Sequence, residues 1–599
     1  MPLRIEDYAF ISDLQTGALV GSDGSIDWTC FPRFDSAACF AALVGHESNG
    51  RWLISPKGEY RFVGRRYVPG TLILETDLRT DGGELRLIDF MPVRGVAPDI
   101  VRIVRCTRGR LDVTMDLCPR FDFGLTVPFE EVRGEDVVFV AGPDCLYLRA
   151  SLHHRGVKPS ARVEWTMKEG DEESFALTWH PSHLERPHAL KPRRTLEDAE
   201  RWWKEWSSRS RYDGPYADAV GRSLAVLKGL THAPSGGITA ALTTSLPERL
   251  GGERNWDYRF CWIRDATFTL YALLFAGYVD EARAWRDWLV RAVGGEARQL
   301  QVLYGVEGER RIHEEELPWL AGYAGSRPVR SGNAAVRQLQ LDVFGEMFDT
   351  LHQAHRHGLR PSSAIWSLQR DVIDFVIAHW EEPDRGIWEM RDEARHFTHS
   401  KVMAWVAIDR AVQAAEALRM EGPIDSWRGI RERIRGEILR RGFNPRLGSF
   451  VQTLDGESLD ASLLLLPMVG FLPPSDERVR GTIAAVEREL LEDGFVRRYL
   501  DADTSGIGAR EEGAFLPCSF WLADNYVLQG RIQDAKALFE RLLSLRNDVG
   551  LLSEAYDVHR RALLGNFPQA ITHVSLINTA RNLAASHGPV HHRSSFASP

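Results

Sequence analysis

The chain is short of the features that mark secreted, membrane-bound or nucleotide-using proteins. Its opening, M-P-L-R-I-E-D-Y-A-F-I-S-D, has no basic start and no apolar stretch behind it, so no signal peptide is expected. No run of about twenty apolar residues occurs, which argues against a transmembrane helix and a membrane partner. Cysteine is scarce: seven in 599 residues, an odd number without C-x-x-C spacing, reads as reduced cytoplasmic thiols. Positive charge is also in deficit, and a net charge of −9 argues against nucleic acid or an anionic membrane surface as partner. No Walker loop, dinucleotide fingerprint or nucleophile elbow is present, so phosphate-cofactor chemistry has no support and no cofactor is expected.

What is present is a globular composition, 44% hydrophobic and 26% charged, in a chain long enough for two or more domains. Tryptophan is abundant at 18 residues, and its flat apolar face with one N–H donor suits sugar rings as well as cores. Up to about residue 180 the pattern is β. Thr71 to Thr80 and Glu84 to Val93 flank Asp81-Gly82-Gly83 as a hairpin; similar pairs are expected at 100–107 with 110–118 and at 136–141 with 145–151. Many short strands with Gly and Asp turns predict a sandwich. The block Asp23 to Ser36 is rich for a strand and turn, and either structural use or contact with a second domain fits it. Prolines 181, 187 and 192 mark a linker, followed by a short Trp-rich helix over 196–208. These signals divide the chain into a β-domain with linker (1–195), a linker helix (196–215), a helical domain (216–588) and a tail (589–599).

From 216 onward about twelve helices are expected, at 216–231, 264–277, 279–293, 334–356, 362–380, 399–417, 425–441, 459–466, 475–491, 514–529, 531–546 and 568–584. Odd-numbered ones tend to be amphipathic and even-numbered ones more apolar, as an outer ring wrapped around an inner ring requires. Several connections leaving even-numbered helices are short, while those leaving odd-numbered helices are long. In an up-down toroid every second connection lies at the same end. The loops 232–263, 294–333, 381–398, 442–458, 492–513 and 547–567 should therefore meet at one mouth.

Gly251 to Asp265, G-G-E-R-N-W-D-Y-R-F-C-W-I-R-D, packs three Arg, three acids and four aromatics at the start of an apolar helix. Buried charges must be paired, so such a cluster lines a site or caps the helix as a salt-bridge knot. Two other loops each present a Glu in an apolar setting: Glu389 after Ile387 and Trp388, and Glu554 after Leu551 and Leu552. Apolar burial keeps a carboxyl protonated, as a general acid requires, and a second, ionised carboxylate can activate water. Paired carboxylates with aromatic and Arg/Asp grips are what glycoside hydrolysis needs, although Glu near a helix start is also ordinary capping.

At these residues the chain resembles glycoside hydrolase family 15, the glucoamylase and trehalase group of inverting α-glucosidases. The resemblance runs from I-E-D-Y-A-F-I-S-D-L-Q-T-G-A-L-V-G to G-N-F-P-Q-A. It implies an N-terminal β-sandwich followed by an (α/α)6 barrel. It further implies that Trp262, Arg264 and Asp265 (W-x-R-D) grip the non-reducing glucose, with Tyr258 near the developing oxocarbenium. Glu389, after Trp388, would be the general acid, Glu554 in S-E-x-Y-D the general base, and Arg498 a further sugar-binding residue. Two departures stand out. Met390 occupies the place of a second Glu that contacts the leaving sugar in fungal glucoamylases, and Ala555 the place of their Gln.

The expected activity is exo-hydrolysis of a small soluble α-glucoside, trehalose first, with isomaltose or malto-oligosaccharides as runners-up. Disaccharide phosphorylases share the implied layout but need no base carboxylate, so Glu554 argues against them. A non-catalytic glycan sensor could lose the acid or base, yet both are present. His396 and His399 form H-x-x-H at a helix start, but no third ligand at convincing spacing makes them a metal site. The only partner expected is the sugar.

Overall fold

The computed structural model describes residues 2–152, 158, 160–185, 189–359, 363–500, 512–584, 588, 590 and 591. Fourteen strands among these residues form one hydrogen-bonded system in the N-terminal domain. The segment Asp99–Cys118, expected as a hairpin, is instead a single strand of 20 residues. Its first half pairs with Gly83–Phe90 and Glu172–Pro181, its second with Arg51–Pro56 and Arg162–Lys168. Gly109, at φ 72°, makes a kink rather than a turn, because the backbone around it is held by Gly82 and Glu169. The other two expected hairpins form, Leu74–Arg79 with Gly83–Phe90 and Asp136–Ala141 with Asp144–Ala150.

The Asp23 to Ser36 block supplies the buried strand Ser25–Cys30 and reaches the helical domain. Trp28 Nε1 donates to the Leu242 carbonyl at 2.9 Å, and Arg259 Nη1 donates to the Ser36 carbonyl. Helix α1 (Pro192–Ser207) starts before the expected 196 because Pro192 occupies its first turn, where a missing N–H costs nothing. It lies between the domains: Ser207 Oγ donates to the Gly70 carbonyl, and Trp206 donates to Glu281 at 2.6 Å.

The helical domain contains α2 (Ala217–Gly229), α3 (Ile263–Phe275), α4 (Val279–Val293), α5 (Asp342–Arg356), α6 (Ser363–His379) and α7 (Thr398–Leu418). It continues with α8 (Ile424–Glu437), α9 (Leu465–Met468, preceded by a 3-10 turn Ala461–Leu464), α10 (Glu477–Glu489), α11 (Leu516–Leu528), α12 (Ile532–Leu543) and α13 (Ala570–Ala584). Helices α3, α5, α7, α9, α11 and α13 pack each on the next, and α13 packs back on α3, closing an inner ring. The other six from α2 to α12 lie outside it, α2 on α13, α4 on α3, α6 and α8 on α7, α10 on the turn before α9, and α12 on α11. Burial follows this arrangement: α11 is buried from Leu516 to Val527, whereas α8 buries only Trp427 and Ile434.

Two further helices differ from expectation at an end, and so does the tail. The one expected from 334 begins at Asp342, because Asn333 caps a separate 3-10 turn that ends in extended backbone at Gln338. The α8 segment finishes in a π turn, Ile438–Gly442. The C-terminal tail is not wholly loose: Val590 is buried and its N–H donates to Asn582 Oδ1 at 3.1 Å. Residues 589 and 592–599 of that tail lie outside the described residues.

Candidate active site

A cavity of about 220 Å³ opens at one end of the inner ring. Four of the six long loops supply most of its lining, through residues between Ala240 and Trp262, Arg330, Ile387 to Arg391, and Arg498 with Tyr499, and α3, α11 and α13 with the residues just before them supply the rest. Glu554, from a fifth, sits just behind the wall. The loop 442–458, expected at the same mouth, contributes nothing to the lining. It acts at one remove, with Gln452 donating to Asp460, the carboxylate that accepts from Trp388 Nε1 at 2.9 and 3.0 Å.

The segment Trp256 to Phe260 runs antiparallel to 240–245, with backbone bonds from Ala240 to Phe260, Ala241 to Tyr258 and Ser245 to Trp256. Its extended backbone turns alternate side chains to opposite faces. Trp256 and Tyr258 line the cavity. Asp257 and Arg259 face away, where they form a fully buried ion pair at 2.6 Å. The alternation of ring and charge in W-D-Y-R-F is thus a wall with an ionic backing.

The floor follows from the start of α3. Trp262 Nε1 donates to Glu389 Oε1 at 2.7 Å, and Arg264 Nη1 to the Ile387 carbonyl at 2.5 Å. Arg264 also lies 3.5 Å from Glu389 and 3.4 Å from Asp265. Glu389 itself sits at φ 57°, an uncommon left-handed conformation for a non-glycine residue, imposed by a tight turn in which its N–H donates to the Gly386 carbonyl. Gln338 fixes the far side by donating to the Glu389 carbonyl at 3.2 Å.

Glu554 is 1% exposed. Its Oε2 accepts from the Asn566 N–H at 3.1 Å, while Oε1 has no hydrogen-bond partner among the described residues. Burial raises its pKa to about 8; the nearby Glu248 adds to the rise, and Arg498, the Asn566 N–H and Tyr258 oppose it. The apolar burial that the sequence attaches to both carboxyls is therefore most marked at Glu554. Tyr258 stands among three carboxylates, Glu554, Glu248 and Glu389, and with burial they push its phenol well above the ordinary value.

All eight residues singled out in the sequence are brought together here: Tyr258, Trp262, Arg264, Asp265, Trp388, Glu389 and Arg498 in the lining, and Glu554 behind it. An ionic network on one wall escaped sequence reading. Arg498 pairs with Glu248 and, at 2.6 Å, with Glu512; Arg254 pairs with Glu512 and donates to Tyr499 Oη at 2.9 Å. Glu248 follows Pro247 and reads as a turn residue, so nothing local signals it. His399 is buried in the first turn of α7 and His396 half-buried before it, and neither lines the cavity.

The family model described as "Glycosyl hydrolases family 15" matches residues 214–581, and the one described as "Trehalase-like, N-terminal" matches residues 1–175. A trehalase of Mycolicibacterium smegmatis is 40% identical over 96% of this chain and 90% of its own length. A trehalase of Thermoplasma volcanium is 35% identical over 97% and 93%. A bacterial glucoamylase solved in complex with acarbose shares the fold at a TM-score of 0.72 and 12% identity, covering 99% of this chain and 96% of that one.

Proposed function

The chain belongs to glycosyl hydrolases family 15 and is a glycoside hydrolase, and from that premise we propose that it hydrolyses α,α-trehalose to two glucoses with inversion at the attacked carbon. The observation that carries this reading is the small volume of the cavity. About 220 Å³ is below the roughly 300–1,000 Å³ of ordinary ligand pockets and suits a small sugar rather than a polymer. Near full-length similarity to trehalases supports the same substrate.

In this reading Trp262, Arg264 and Asp265 hold the glucose whose bond is cut. Glu389, reaching the cavity beside Trp388, gives its proton to the glycosidic oxygen as the C1–O bond breaks. Glu554 takes a proton from a water that attacks C1 from the opposite face, and Tyr258 stabilises the flattened ring between them. Arg498 contacts sugar hydroxyls from the side wall. Met390, 8% exposed and packed on Phe397 and Tyr499, gives the leaving sugar no carboxylate to bond. That loss fits a substrate other than starch.

Hydrolysis is favoured over phosphorolysis by the cations of the lining. Arg254, Arg264, Arg330, Arg391 and Arg498 each have a carboxylate within ion-pair reach, so an incoming phosphate meets no uncompensated charge. We further take the two helical rings as an (α/α)6 barrel, with α1 as the connector to the β-sandwich. We also propose a cytoplasmic setting, a reading supported by the seven free thiols; no described helix is long and apolar enough to cross a membrane.

Proton NMR of the first minutes of trehalose hydrolysis tests the reading. Inversion at one carbon releases one β-glucose, while the departing sugar keeps its α C1–O bond, so equal amounts of both anomers are expected before mutarotation. A product that is initially all α would mean retention, and absence of turnover would remove trehalose as substrate.

A further inference from the structure

In the proposed reading Arg264, Asp265 and Glu389 face the cleaved glucose, and their side chains are 13–17% exposed; on the wall around Trp256 the side chain of Arg391 reaches 37%. The guanidinium carbons of Arg330 and Arg391 both lie over the Trp256 ring, 4.6 and 4.4 Å from its centroid. Contacts of this kind hold a flat ring in one orientation. Glu314 joins the two cations: it accepts from Arg391 at 3.2 and 2.8 Å and lies 3.9 Å from Arg330 Nε.

Each member of this cluster is tied down separately. Arg330 donates to the carbonyls of Glu253 and Asn255, just before Trp256 in the chain, and its own carbonyl accepts from Thr244 Oγ1 at 2.7 Å. Glu314 Oε2 accepts from the Ala334 N–H at 2.9 Å. The Trp256 carbonyl accepts from Asn566 Nδ2 at 2.9 Å, and the same Asn566 holds Glu554 through its backbone. Three loops, those before α3, α5 and α7, are thereby fastened together on one side of the mouth. Because the cations are balanced by Glu314 and by carbonyls, the wall offers hydrogen-bonding groups to neutral hydroxyls rather than a field for an anion.

Resting on the trehalase reading, we propose that Trp256 and the Arg330–Glu314–Arg391 clasp over it form the outer wall of the leaving-sugar subsite. The wall admits one unextended pyranose beyond the cleaved bond and turns away longer α-glucans. The substrate class is then a neutral disaccharide, and selection against length comes from a fixed obstacle.

The test compares kcat/KM for trehalose and for maltotetraose in the wild type, Trp256→Ala and Arg391→Ala, with folding checked by thermal denaturation. Opening the wall is expected to lower the trehalose value and to raise the absolute maltotetraose value by about tenfold or more, the scale on which pocket shape discriminates. A merely structural role would lower both. Unchanged or reduced maltotetraose turnover in folded variants overturns the wall while leaving the trehalase reading intact. A wild type that prefers maltotetraose to trehalose removes both. Arg391 is 37% exposed, so its truncation decides the matter even if Trp256→Ala does not fold.

Discussion

Glu389 and Glu554 are held by different kinds of group, and that difference separates their roles experimentally. Glu389 lines the cavity and accepts from an indole N–H beside Arg264. Glu554 has one oxygen tied to a backbone N–H and is buried behind the wall beside Tyr258. A fluoride leaving group needs no proton. Glu389→Gln should therefore lose about 10²–10⁴-fold on trehalose, the usual share of a general acid, yet keep turnover of α-glucosyl fluoride within about tenfold. Glu554→Gln should lose both, and an equal loss of both substrates in Glu389→Gln would end the acid assignment. The base must be ionised to work, and Glu554 keeps its proton up to about pH 8 in the free enzyme. The kcat/KM for trehalose is accordingly expected to rise with pH through neutrality; a falling profile over pH 6–8 would exclude Glu554 as base. The residues proposed for this chemistry were legible because W-x-R-D, W-E and S-E-x-Y-D are compact, and the fold brings them to one cavity. Glu248 and Glu512 were not, nor was the partnership of Arg254 with Glu512, since it joins loops far apart in the chain and only the fold reveals it.

At the scale of elements, the hairpin Ala555–Asp557 with Ala562–Leu564 returns the chain so that Gly565 and Asn566 lie against Glu554. A Cβ on Gly565 would stand 2.5 Å from Glu554 Oε2, and the residue's φ of 73° is one that alanine adopts with strain. Gly565→Ala should displace the base. About 10²-fold lower kcat on trehalose is expected, with a smaller change in KM and with the unfolding transition retained, since a shift near 1 Å in a catalytic group has that scale of effect. Kinetics indistinguishable from the wild type would show that Glu554 is not held from that side. This glycine belongs to the G-N-F-P-Q stretch already visible in sequence, but its reason is spatial. The misread strand Asp99–Cys118 shows the converse. Gly109 looks like a turn residue, yet the pairing of both halves with other strands keeps the chain extended through it. Local turn signals lose when both flanks have partners across the sheet.

Across the whole molecule, the two-ring layout was readable because outer helices alternate faces and inner ones do not, a contrast that survives in α8 against α11. What periodicity could not show is how the interior is charged. Burial raises Asp342 and Asp524 to about 7, as it raises Glu554 to about 8, and each therefore binds its proton more tightly folded than unfolded. Such stability is full below the unfolded carboxyl value near 4 and is lost as pH rises through the folded values. His232, His352 and His573 are lowered by burial to about 4, 3 and 3, so their contribution is lost only as pH falls below about 6.5. Between pH 6.5 and 8 the histidines are neutral in both states and the three carboxyls dominate. Lys401, lowered by burial to about 8, opposes them only at the top of that window. Folding should thus take up protons there, and the melting temperature should fall as pH rises from 6.5 to 8, with a slope near 1.4 kcal/mol per pH unit for each proton bound in excess. Asp524, which accepts from Asn582 Nδ2 at 2.7 Å, isolates the cause. Asp524→Asn keeps an acceptor for that amide and cannot ionise, so it should flatten the slope and melt higher than the wild type at pH 8. A melting temperature that rises over this window, or an Asp524→Asn variant that melts lower at pH 8 than at pH 6.5 by as much as the wild type, would show that the buried carboxyls are ionised at little cost.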